Sequence, residues 1–297
     1  MTDSGRVDRS VQADARARSA RPDVGTASGA SGYSAADWLA LCRGAVEDVR
    51  GVLVELPTRV ERESVVGDGE GGDETTAIDA AAERVILQRL RDFEAATIVS
   101  EEVGILESDG PLRIVVDPID GSLNAKRGIP FFSVSIAVAD GDTMDDVFFG
   151  YVYDFGTGEE WTAERGKGAL LNGADLGDVL PKERIEILSF EATLTSSVAE
   201  KASAVVGLAY RLRIMGSLAL SLCHLAAGRV DAVCSLKGAR SVDIAAAQLL
   251  VRERGLAIEL PEAPPLGAAP LDLEGRSRCV AAATPEVCAE LFAALSR

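Results

Sequence analysis

The sequence predicts an α/β protein, layered in the α+β manner, with two sheet-bearing halves, and three observations predict it. Short apolar runs of strand length recur at residues 97–100, 113–116, 131–139 and 147–153, with turn signals at Gly141 and Gly156. Past Leu180 the pattern changes to strand (185–190), helix (216–227), strand (230–234) and helix (243–254). Two helical patterns precede all of these, one opening after Ser34 and one over residues 78–93. The halves are therefore assigned to residues 34–185 and 186–297.

Each element has a local reason. Residues 1–33 combine Ser, Gly, Ala, Arg and Asp without a hydrophobic period, and read as a disordered N-terminal tail. Ser34 is a natural N-cap for a helix whose apolar positions are Trp38, Leu39, Leu41, Val46, Val49, Leu53 and Val54. The glycine-rich acidic run 67–74 lacks both a dinucleotide fingerprint and a P-loop lysine. A surface loop and a lid over an active site are both open readings of it. Pro261, Pro264 and Pro265 mark a late loop.

Composition excludes several functions. There are 47 acidic against 30 basic side chains, a formal net charge of −17. Such a surface repels nucleic acid and anionic membranes, so neither is an expected partner. The tail carries five arginines and four aspartates, which leaves −18 on the rest of the chain. One histidine, His224, rules out a multi-histidine metal site, and its helical apolar neighbours suit a core residue. Five scattered cysteines without a C-x-x-C pair suit reduced thiols in the cytoplasm. The longest uncharged stretch, residues 214–228, is shorter than the ~20 apolar residues a bilayer span needs.

The chemistry concentrates at Asp117-Pro118-Ile119-Asp120-Gly121-Ser122. Asp117 ends an apolar strand, where α/β ligand sites gather. Pro118 is read as forcing a turn that returns Asp120 beside it. Two carboxylates that close repel unless a cation lies between them. Gly121 and Ser122 then open a helix whose N–H groups suit phosphate. An Asx turn with an N-cap would also explain the segment. Glu101 and Glu102 end a neighbouring strand, while Asp79 and Asp243 begin helices, where either is equally well an N-cap. Oxygen donors without histidine select Mg²⁺, with Mn²⁺ able to substitute, rather than zinc.

Residues 117–122 resemble the D-P-[IL]-D-G-[ST] signature of the inositol monophosphatase/fructose-1,6-bisphosphatase superfamily of Mg²⁺-dependent, lithium-sensitive phosphatases. Asn124-Ala125, the run 128–132, Gly166–Ala169, Gly216–Leu220, Gly228–Ala232 and Asp243–Ala246 are similar to its archaeal dual-activity branch, in family order over roughly residues 35–258. The resemblance implies an αβαβα sandwich of the sugar-phosphatase type and a homodimer or homotetramer. It implies that Glu101, Asp117, the Ile119 carbonyl, Asp120 and Asp243 hold metal, and that Asp120, Gly121 and Ser122 hold the phosphate. Asp79 would pair with the Ser122 hydroxyl to activate water, with Glu101 also in the catalytic set. Arg213, Ser217 and Arg240 would contact the rest of the substrate.

Val242 stands where inositol phosphatases have tryptophan, and Leu236 where animal-type enzymes have a sugar-binding glutamate. The implied substrate is thus the 1-phosphate of fructose 1,6-bisphosphate, with myo-inositol 1-phosphate as a second. The alternatives are a strict inositol-1-phosphatase, an adenosine 3′,5′-bisphosphate phosphatase, and a catalytically silent Mg²⁺/phosphate-binding regulator. The regulator would require a broken ligand set, whereas every expected carboxylate is present.

Overall fold

The computed structural model describes residues 32–68, 74–91, 96–177, 184–191 and 194–296. Residues 1–31 of the expected tail, and most of the 67–74 run, lie outside these residues; Tyr33, expected in the tail, sits against Trp38 with ring centroids 5.3 Å apart. Helix α1 (Ala35–Glu55) starts in a capping box: the Ser34 hydroxyl accepts from the Asp37 N–H, and the Asp37 carboxylate accepts from the Ser34 N–H. Its buried stripe is Trp38, Leu41, Cys42, Ala45, Val46, Val49 and Val52. Val54, expected on that stripe, is 78% exposed because it falls on the opposite face of the last turn. Helix α2 (Arg59–Glu63) and the hairpin β1 (Val65–Asp68) with β2 (Glu74–Thr76) lead into α3 (Ala77–Leu90), which packs on α1.

An eight-stranded sheet follows: β3 (Ala96–Ser100), β4 (Gly104–Leu106), β5 (Leu112–Asp120), β6 (Ser133–Ala139), β7 (Val147–Asp154), β8 (Glu160–Glu164), β9 (Gly168–Leu171) and β10 (Ala174–Asp175). Their order is β10-β9-β8-β7-β6-β5-β3-β4, antiparallel except where β3 and β5 run parallel. The short helix α4 (Ser122–Arg127) interrupts the chain between β5 and β6. The second sheet contains β11 (Ile185–Glu191), β12 (Ala209–Arg213), β13 (Ala232–Ser235), β14 (Ala257–Glu259) and β15 (Val280–Ala282), in the order β12-β11-β13-β15-β14. Helices α5 (Thr195–Lys201), α6 (Leu218–Ala226), α7 (Ser241–Glu253) and α8 (Pro285–Leu295) complete the chain.

The strand period of two sorts the core into layers. On β5, Ile114 and Val116 pack with α1 and α3, while Val115 faces the opposite cluster with α6 and α7. On β13, Val233 joins that middle cluster, whereas Ala232 and Cys234 pack against α8. The order is helices, sheet, helices, sheet, helix, the expected αβαβα sandwich. Both halves share the middle helical layer, and the expected boundary falls after the first residue of β11. Gly150 is where α7 rests directly on β7. A Cβ there would stand 2.6 Å from the Ala246 carbonyl oxygen.

Candidate active site

The first determinant is a β-bulge. Strand β5 does not turn at Pro118, as expected from the sequence, but runs on to Asp120. Asp117 lies opposite Ser135 and Asp120 opposite Ser133, so three steps on β5 face two on β6. In a regular strand, residues three apart point to opposite faces; the extra residue puts both aspartates on one face. Pro118 fits there because a bulge spares it the ladder donation it cannot make. Asp117 is 1% exposed, and its Oδ1 accepts from the Ile119 N–H at 3.0 Å. Gly121 then turns the chain with φ +93°, and a Cβ would meet the carbonyl oxygens of Gly216 and Phe131 at 3.1 Å.

Other elements bring the remaining carboxylates. Glu101 follows β3 in a turn organised by the buried Glu83, which accepts from the Ser100 hydroxyl and from the N–H groups of Glu102 and Val103. Asp243 is the third residue of α7, not its cap. From there its Oδ2 reaches back to the N–H of Arg240, the N-cap, at 2.7 Å. Asp79 likewise is the third residue of α3, and its Oδ2 accepts from the Thr76 hydroxyl at 2.5 Å. These residues line a cavity of about 330 Å³ together with Glu102, Ile119, Gly121, Ser122, Lys126, Glu191 and Arg240.

Like charge and burial act together here. Burial, opposed by Arg240 and reinforced by Asp243, pushes the Glu101 carboxyl up to about 7. Burial also raises Asp120 to about 7, against the opposing hydrogen bond from Ser217. Asp117 is held well above the usual carboxylate range by burial, then by Glu101, Asp120 and Asp243. These acids bind protons more tightly folded than unfolded, so without metal the stability falls as pH rises from about 4 toward 7. Melting temperatures measured in chelator across that range are expected to decline by several degrees, and saturating divalent metal is expected to flatten the decline.

Several assignments come out differently in the structure. The Ser122 hydroxyl donates to the Ile119 carbonyl at 2.9 Å, not to Asp79. Asp79 instead pairs with Lys126 Nζ at 3.0 Å, because α4 turns Lys126 inward, and its buried Oδ1 has no hydrogen-bond partner. Ser217 does not line the cavity. As N-cap of α6 its hydroxyl accepts from the Leu220 N–H and donates to Asp120, whose Oδ2 also accepts from the Ala219 N–H at 2.8 Å. Arg213 is exposed at the end of edge strand β12, its guanidinium donating to the adjacent Leu212 carbonyl, and it stays outside the cavity. Arg240 does line it, but bridges Glu101 and Asp243. His224 stacks on Phe131 with ring centroids 5.7 Å apart and takes no part.

Three contributors have partners that sequence spacing does not indicate; Glu191 and Lys126 are not among the site residues the sequence singles out, whereas Asn124 falls in a motif run that it marks. Glu191, at the end of β11, accepts from the Gly216 N–H at 2.9 Å and from the hydroxyls of Ser189 and Ser221. Asn124 donates to the Phe131 and Met215 carbonyls, tying α4 to the segment before α6. Lys126 is the third. Each is a polar residue whose partner lies far along the chain, a signal that spacing does not carry.

The donor set suits a hard divalent cation: oxygen ligands from Asp117, Asp120, Glu101 and Asp243, crowded enough to resist ionisation together. Among the described residues, however, no three His, Cys, Asp or Glu side chains stand ready to close on one ion. Arg240 holds Glu101 and Asp243, and Ser217 holds Asp120.

A layered α/β sandwich with a carboxylate-lined cleft at its bulge defines a phosphatase of the inositol-monophosphatase type. Solved structures with a similar fold include a protein from Pyrococcus horikoshii with similarities to inositol-1 monophosphatase, at TM-score 0.76 and 25% identity, over 88% of this chain and 99% of that one. A structure titled inositol monophosphatase–fructose 1,6-bisphosphatase superposes with TM-score 0.77 and 27% identity, over 86% and 99%. The inositol monophosphatase family model matches residues 37–297, and the chain belongs to that family. It is 35% identical over 249 residues to the fructose-1,6-bisphosphatase/inositol-1-monophosphatase of Archaeoglobus fulgidus, covering 83% of this chain and 93% of that protein. It is also 36% identical over 198 residues to the Nus factor SuhB of Pasteurella multocida, covering 62% and 70%. The protein is thus a phosphatase of that family. No helix among the described residues is long and apolar enough to cross a membrane.

Proposed function

We propose that this phosphatase hydrolyses the 1-phosphate of fructose 1,6-bisphosphate, and also myo-inositol 1-phosphate, with Mg²⁺ as cofactor and Mn²⁺ as a substitute. The observation that carries the reading is the bulge that turns Asp117 and Asp120 to one face, opposite Glu101 and Asp243. Those four carboxylates and the Ile119 carbonyl are the residues that would hold metal. When bound, the divalent ions neutralise phosphoryl charge and acidify the attacking water.

The rest of the work falls to the chain. Gly121 and Ser122 orient the phosphoryl group from the start of α4. Asp79 keeps one oxygen on Thr76 and Lys126 and has the other without a partner, a geometry suited to taking a proton from water. Ser122 then has to leave the Ile119 carbonyl, which frees its hydroxyl for that same water. Arg240, which lines the cavity, would contact the rest of the substrate. Positioning and charge suffice here, because phosphoryl transfer asks for little covalent help. The setting we infer is cytoplasmic, with the chain acting as a homodimer or homotetramer, and the acidic surface speaks against nucleic acid as a partner.

Phosphate release from a panel of esters, with Mg²⁺ present and with lithium added, tests this. Fructose 1,6-bisphosphate and inositol 1-phosphate are both expected to turn over, and lithium to inhibit. Turnover of inositol 1-phosphate alone would assign a strict inositol-1-phosphatase. Turnover of adenosine 3′,5′-bisphosphate alone would assign a nucleotide phosphatase.

A further inference from the structure

Arg240 lines the cavity, yet its placement disagrees with a simple ligand-binding role. Its side chain is only 8% exposed, and its guanidinium lies between two of the carboxylates assigned to metal. One Nη donates to Glu101 and to Asp243 Oδ1, the latter at 2.9 Å, while Nε lies 3.3 Å from Asp243 Oδ2. Burying a guanidinium is costly unless it is paired, and here both partners come from the metal set. The pairing also relieves the carboxylates, since Arg240 opposes the upward pressure on Glu101.

We propose that Arg240 is a resident counter-cation that competes with the divalent ion for Glu101 and Asp243 and is released into the cleft when metal binds. The inference rests on the metal-site reading given above. A guanidinium and a divalent ion held against the same two carboxylates repel each other, and each draws on the same negative charge, so binding of one weakens binding of the other. The local structure permits the exchange. Asp243 Oδ2 is held by the backbone N–H of Arg240 itself, so the helix cap survives when the side chain leaves. The cavity of about 330 Å³ lies alongside and gives the guanidinium room to move. Once released, it stands where the oxygens of a bound phosphate ester need a positive partner. Metal and substrate binding are thereby coupled through a single side chain.

The test is Mn²⁺ binding, followed by the paramagnetic resonance of free ion, on the full chain stripped with chelator. Wild type, Arg240→Gln, Arg240→Lys and Asp117→Asn are compared, with melting curves of each metal-free protein. Arg240→Gln is expected to bind Mn²⁺ roughly tenfold tighter than wild type, since it removes the competitor. Its metal-free form should melt below metal-free wild type, and saturating Mn²⁺ should close the gap. Arg240→Lys keeps the charge but cannot bridge two carboxylates, so its affinity should fall between. Should Arg240→Gln not fold without metal, the lysine variant decides by the same comparison. Equal or weaker Mn²⁺ binding by the variants, with wild type binding and Asp117→Asn not, overturns the competition and leaves the metal site standing. Absence of Mn²⁺ binding in wild type and arginine variants alike removes the metal site itself, and the competition with it.

Discussion

Asp117→Asn is expected to lower phosphate release by at least ~10³-fold, because Asp117 is the carboxylate most deeply shared within the acidic set. The fold should survive. The asparagine carbonyl oxygen can still accept the Ile119 N–H that Asp117 Oδ1 now takes. The metal-free variant should melt higher than metal-free wild type, because one of four mutually repelling acids has become neutral at a site 1% exposed. Added Mg²⁺ should raise the melting temperature of wild type and leave the variant where it is. Activity and stability therefore move in opposite directions, a signature that simple misfolding does not produce. A variant with near-wild-type turnover would sink the metal assignment.

Glu191→Ala is expected to destabilise the protein by ~3 kcal/mol and to lower activity as well. The carboxylate, 7% exposed, collects the N–H groups of Met215 and Gly216 and the hydroxyls of Ser189 and Ser221. Its removal takes the acceptor from the buried Ser189 and Ser221 hydroxyls and from the half-buried Met215 and exposed Gly216 N–H groups, and each buried loss costs on the order of 1–3 kcal/mol before relaxation. The affected segment leads straight into Ser217, the cap of α6 that holds Asp120. The loss should thus appear both in urea unfolding and in the rate per folded molecule. Glu191→Gln keeps an acceptor oxygen and should recover part of both. Equal damage from the two variants would argue for charge rather than for the hydrogen bonds.

Much of the local structure was legible in advance. Ser34 caps its helix as read, the structure adding the Asp37 side of a capping box, and the helix over 78–93 proved to be Ala77–Leu90, with residues 92 and 93 outside the described residues. The apolar runs between 97 and 153 became β3, β5, β6 and β7. Asp79 and Asp243 were read as beginning helices but occupy third positions, where a carboxylate reaches back to the cap rather than being it. Pro118 was read as a turn and proved to be a bulge, because β6 supplies a partner for the strand on both sides of it.

What the sequence determined by itself was the inventory: which short stretches are strands or helices, and which acidic residues end them. Both follow from neighbours within a turn or a strand, where side-chain period and capping act. What only the tertiary structure decided was partnership across distance. It set Lys126 against Asp79, Ser217 against Asp120 and Arg240 between Glu101 and Asp243, and it left Arg213 outside the cleft on an edge strand. The physical reason is that a charged side chain takes whichever opposite charge or donor the packed layers bring near. Those layers are fixed by burial of Ile114, Val115, Val233 and their neighbours, not by the charged residues themselves.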